Sequence, residues 1–106
     1  MFWSDAEQKY VLYFRIWDRG RSIGRMTSED FLRWSDPQPM TYGDSLREQL
    51  YTNQTQPYFC APHIYIALAA RFMERRRVVT DEQVEAIGLK TSQGHFYGND
   101  CSDVVL

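Results

Sequence analysis

Residues 10–27, YVLYFRIWDRGRSIGRMT, decide the fold. The first eight are β-branched or aromatic almost throughout, a composition that suits a pleated surface. Alternation places Leu12, Phe14 and Ile16 on one face and Val11, Tyr13, Arg15 and Trp17 on the other. Both faces are largely apolar, so the strand is expected to be covered on both sides. Asp18-Arg19-Gly20 supplies turn chemistry, with Gly20 free to take a positive φ, and residues 21–27 return as the partner strand.

On the C-terminal side of this hairpin the signals change. Ser28 and Asp30 favour bonds to nearby backbone amides, so residues 28–34 read as a tight turn. Phe31 and Trp34, three apart, are expected to point together into a core. Pro37 and Pro39 make residues 35–39 a loop that leaves the first sheet. A helical turn fits residues 45–50, a short strand residues 50–52, and a loop residues 53–57. Residues 63–73, HIYIALAARFM, fit either period; strand is preferred, with Ile64, Ile66, Leu68, Ala70 and Phe72 on one face. Residues 80–88 carry the end signals of a short helix over 81–87. Thr80 is the cap, Gln83 completes a capping box, and Gly88 follows the last turn, with Val84 and Ile87 facing inward. After a Gly-rich loop at 93–98, residues 100–106 (DCSDVVL) enter another strand.

The chain has 106 residues, enough for one domain spanning 1–106. It is 43% hydrophobic, 25% charged and 15% aromatic, with a net charge of −2. That near-balance argues against a general nucleic-acid binder, which gains affinity from a strong basic excess. No apolar run approaches the ~20 residues of a membrane-spanning helix, so no membrane partner is expected. The N-terminal residues MFWSDAEQK show no signal peptide, and a cytoplasmic location is the default expectation. Cys60 and Cys101 read as two free thiols rather than a pair.

No P-loop, dinucleotide fingerprint, CxxC pair or GxSxG elbow is present, and no cofactor is expected. Cys60, His63, His95 and Cys101 lack the spacing of a metal site, so no metal is expected either. The carboxylates are more suggestive. Asp100 and Asp103 flank a strand start, while Asp44 and Glu48 precede an aromatic stretch. Acids amid Tyr, Trp and Arg are the equipment of glycosidic-bond cleavage, one as acid and one as base or nucleophile. The alternative for Asp100 and Asp103 is turn formation. Arginine supplies most of the cationic charge. Arg15, Arg21, Arg25 and Arg71 fall on or beside strands, where a guanidinium can pair with a carboxylate or stack on a ring.

The run YFRIWDRGRSIGRMTSEDFLRWSDP resembles a blade of the five-bladed β-propellers of glycoside-hydrolase type, similar to families 32, 43 and 68. The resemblance rests on Arg21, Ile23, Gly24, Ser28, Asp30 and Trp34. The stretch LYTNQTQPYFCAPHIYIALAARF looks like a second blade of a bacterial branch of that group, with Cys60 where an arginine is expected, and DCSDVVL would open a third. The resemblance implies an all-β, antiparallel fold of about two blades of an incomplete propeller, divided near 9–45 and 46–106. It implies a carbohydrate partner and two-carboxylate hydrolysis when the propeller is complete, with this chain alone inactive. The catalytic residues it implies are Asp103 and Asp100; Arg25, His63, Tyr65, Glu48 and Trp17 would contact substrate. A second expectation belongs to another class: a non-catalytic module that self-associates through sheet edges.

Overall fold

The computed structural model describes residues 1–88 and 99–106. The hairpin anticipated from residues 10–27 is its centre. β2 (Lys9–Trp17) pairs antiparallel with β3 (Arg21–Ser28), from Tyr10 opposite Ser28 to Trp17 opposite Arg21. Arg19 and Gly20 both take positive φ in the turn, at 53° and 133°. Arg47 clamps this turn from outside, its Nη2 lying 2.6 Å from Asp18 Oδ2. β1 (Phe2–Ser4) pairs with β2, and β4 (Gln38–Pro39) with β3, giving a four-stranded antiparallel meander in chain order.

Two smaller sheets follow. β5 (Gln49–Asn53), β8 (Ala69–Met73) and β9 (Cys101–Val105) form an antiparallel sheet in the order β5-β8-β9. β6 (Gln56–Tyr58) and β7 (Ala61–Ile66) make a separate two-stranded ladder. The protein is therefore all-β and antiparallel, with one short helix, α1 (Asp81–Ala86). Thr80 Oγ1 accepts from the Gln83 amide, and Gln83 Oε1 accepts from the Thr80 amide, closing the expected capping box.

Several expectations need correction. The tight turn at 28–34 forms, with Asp30 Oδ1 accepting from the Leu32 and Arg33 amides at 2.9 and 2.7 Å. Phe31 and Trp34 do meet, ring centroids 5.8 Å apart, but Phe31 stays 47% exposed and neither ring enters a core. The proline segment returns to the first sheet instead of leaving it, because an edge position asks no ladder donation of Pro39. Residues 45–48 make no helical turn. Residues 63–73 are extended as preferred, yet split at Ala67-Leu68: β7 pairs with β6, and β8 with β5 and β9. A change of partner sheet leaves no mark on periodicity. Ile87 of the helix is 64% exposed, so that helix buries no apolar stripe. The Gly-rich loop at 93–98 lies outside the described residues.

The buried apolar residues among those described are Val11, Ile23 and Ala69. Val11 and Ile23 share a face of the first sheet with Tyr13, Arg15 and Trp17, and that face meets β5 and β8 through Tyr51, Gln49 and Phe72. The opposite face does not match the expected two-sided cover. Leu12, Phe14 and Ile16 remain half-buried there. A radius of gyration of 17.8 Å, against roughly 13 Å for a compact chain of this length, agrees with so small a core.

Candidate functional site

Three polar constellations lie where the sheets meet. The first ties the meander to the β6–β7 ladder. Arg25 stands opposite Tyr13 in the β2–β3 register and donates from Nε to its hydroxyl at 3.2 Å. Its Nη2 pairs with Glu7, while the Tyr65 hydroxyl donates to the other Glu7 oxygen at 2.7 Å and also contacts Ser4 Oγ. Phe2 closes the group, its ring edge-on to Tyr65 at 5.0 Å. The Arg25 hydrogen bond, and then that of Tyr65, hold the Glu7 carboxyl below its ordinary value of 4.5. Burial and the Glu7 contact push the Tyr65 hydroxyl up. Arg25 and Tyr65, both expected to contact substrate, thus spend their polar groups on neighbours.

The second constellation brings Glu48 and Asp103 together around one guanidinium. Arg71 stands directly opposite Asp103 in the β8–β9 register. Its Nε and Nη2 form a two-pronged bond to the Asp103 carboxylate, and its Nη1 reaches Glu48 Oε1 at 2.8 Å. The Arg71 hydrogen bond holds Asp103 below the usual carboxylate range. A general acid for glycosidic cleavage needs the opposite shift, upward, so that it still carries a proton near neutrality. Asp100 accepts the Arg75 amide at 2.9 Å, a bond to a turn 25 residues away rather than to its own backbone.

Glu7, Asp18, Asp30 and Asp103 all have lowered folded-state pKa values, each through partners made on folding. Such groups add stability that is complete above the unfolded values, 4.5 for Glu7 and 3.8 for the aspartates, and is lost as pH falls through the lower folded values. Thermal unfolding followed by circular dichroism is expected to give a midpoint flat from pH 7 to about 5 and falling steeply below about 4. A midpoint that rises on acidification contradicts these pairings.

The third constellation is an open cleft of about 420 Å³ lined by Arg15, Ile16, Trp17, Arg21 and Tyr51. That volume falls within the roughly 300–1,000 Å³ of small-ligand sites. Trp17 ends β2 and is 75% exposed. Arg21, its cross-strand partner, lies 5.9 Å from the indole, 5.5 Å from the Tyr51 ring and 4.1 Å from the Phe72 ring. Arg15 sits over Tyr51 at 4.9 Å. Arg21 Nη1 donates to Gln49 Oε1 at 2.9 Å, which fixes the guanidinium against β5. Trp17, expected to contact substrate, is here; Tyr51, Arg15 and Arg21 join it without having been singled out for such contact. The Trp17–Arg21 pairing could have been read from the hairpin register. Tyr51 could not, because it arrives from another sheet.

His63 is exposed on β7 and takes part in none of the three groups. Both cysteines are free thiols, Cys60 exposed and Cys101 partly covered. Among the described residues no group of His, Cys, Asp and Glu could hold a metal ion, and His95 lies outside those residues. No helix among them is long and apolar enough to cross a membrane. A further hollow of about 390 Å³ is lined by Leu46, Leu50, Val105 and Leu106 together with Tyr42. The Tyr42 hydroxyl is buried there without a hydrogen-bond partner.

The fold and these groups define an all-β antiparallel protein with an aromatic, arginine-lined cleft between two sheets. Compared with protein-family models, curated proteins and solved structures, the chain matches none of them.

Proposed function

We propose that this chain is a carbohydrate-binding β domain that holds a sugar at the Trp17–Tyr51 cleft and does not cleave it. The observation that carries this reading is Trp17. A large indole 75% exposed at the mouth of a cleft offers an apolar face with a polar N–H edge, the pairing that suits a sugar ring with its C–H face and hydroxyl rim. The propeller-like hairpin signature supports the same ligand class. Binding is favoured over hydrolysis because the candidate acids Glu48 and Asp103 are engaged by Arg71, with Asp103 held as an anion. Titration calorimetry against a panel of neutral and acidic oligosaccharides is expected to give one saturable site for at least one of them. Absence of saturable binding across the panel contradicts the proposal.

A second reading draws on β9. Among the described residues its outer edge has no ladder partner, and Val104 on it is 67% exposed. Unpaired edges template strand pairing, so this edge favours self-association. Light scattering is expected to show a concentration-dependent dimer that Val104→Lys returns to monomer. A strict monomer at all concentrations contradicts that reading.

A further inference from the structure

Among the described arginines, Arg15, Arg21, Arg33, Arg75 and Arg76 form no ion pair, and of these five only Arg15 and Arg21 lie over aromatic rings. Arg25, Arg47, Arg71 and Arg77 each bond a carboxylate. Arg15 and Arg21 do not, although the chain carries fourteen carboxylates against twelve basic residues. They stand two register positions from each other across β2 and β3, on the same sheet face, and both lie over the Tyr51 ring. Ring contacts and the single Gln49 bond leave most of their N–H donors uncommitted. Two guanidinium groups held against one aromatic ring, without their own anion, each offer a planar fork of donors to a carboxylate.

We infer that the cleft selects acidic glycans, with Arg15 and Arg21 receiving the carboxylate of a uronic-acid unit while Trp17 covers the face of a sugar ring. This rests on the carbohydrate reading above and narrows it to one ligand class. A guanidinium pairs two-pronged with phosphate as well as with carboxylate, so the comparison of acid with ester isolates the carboxylate itself.

The direct test compares a galacturonate oligomer with its fully methyl-esterified form, which keeps the sugar scaffold and removes the charge. At low salt the acid form is expected to bind about tenfold more tightly, with the margin shrinking as ionic strength rises, since partly exposed charges are screened. Arg15→Gln should lower that acid-to-ester ratio, and Arg15→Gln with Arg21→Gln should bring it near one. Arg21 also packs on Phe72, so Arg21→Lys serves as a second variant: it keeps the charge and loses the fork. Circular dichroism confirms that each variant is folded. Equal affinity for acid and ester overturns the inference while leaving carbohydrate binding intact. A preference unaffected by any of the arginine variants also overturns it. No saturable binding of either form overturns it too, and the neutral members of the calorimetric panel then decide whether the carbohydrate reading falls with it.

Discussion

Replacing Gly24 with alanine is expected to destabilise the protein by about 1–3 kcal/mol, the cost of forcing an extra carbon into an occupied space. Gly24 lies on β3 opposite Phe14, with the backbone in an ordinary strand conformation, so φ raises no objection to a side chain. The objection is steric. A Cβ there would stand 2.7 Å from Ile16 Cγ2, 3.4 Å from Ile16 Cδ1 and 3.5 Å from Phe14 Cζ. Cγ2 is the branch methyl of a β-branched residue, which clears the way only by leaving its preferred χ1. For a chain of this size, such a loss lowers the unfolding midpoint by about 5–15 °C. Ile16→Ala removes the obstructing methyl, so Gly24→Ala should cost much less in that background. Strict additivity of the two substitutions would show that the clash is not the cause.

Trp17→Ala is expected to weaken glycan binding at least about tenfold, or ~1.4 kcal/mol, because an exposed indole over the cleft supplies most of the apolar contact. Stability should change by less than about 0.5 kcal/mol, since the side chain is mostly in solvent. Trp3→Ala is the matched control. Trp3 is also exposed and stacks edge-on against Tyr10 at 4.9 Å, on the opposite face of the meander from Trp17. Its loss should leave affinity within about twofold, below the ~1.4 kcal/mol that a tenfold change represents. Titration calorimetry on the two variants, each shown to be folded, separates a specific platform from general aromatic stickiness.

The sequence speaks clearly wherever the determinant is local. The β2–β3 hairpin follows from alternation and a Gly-containing turn, and the capping box at Thr80 and Gln83 follows from a four-residue pattern. The same locality limits what can be read. Residues 63–73 keep an unbroken alternation, yet the chain exchanges one partner sheet for another at Ala67-Leu68. Phe31 and Trp34 pair as their spacing suggests, but whether a core lies beyond them depends on the other sheets.

The candidate residues divide along the same line. Arg71 and Asp103 were each legible as strand residues, while their register, which makes them a bonded pair, is set by the β8–β9 ladder. Arg25 and Tyr65 come from different sheets and meet through Tyr13 and through Glu7, the latter a residue with no motif around it. The cleft combines both cases. Trp17 and Arg21 face each other because of a short turn, and Tyr51 reaches them because β5 packs on the meander.

The most direct test of the cleft is a nuclear magnetic resonance titration of the ¹⁵N-labelled chain with a galacturonate oligomer. The indole N–H signals of its tryptophans report from different parts of the first sheet and its adjoining turn. Progressive, saturable shifts are expected at the Trp17 indole and at the amides of residues 15–21 and 51, with the Trp3 and Trp34 indoles unmoved. Shifts centred instead on Arg71 and Asp103, or no shifts at millimolar oligomer, would contradict the assignment of the Trp17–Tyr51 cleft as the binding site.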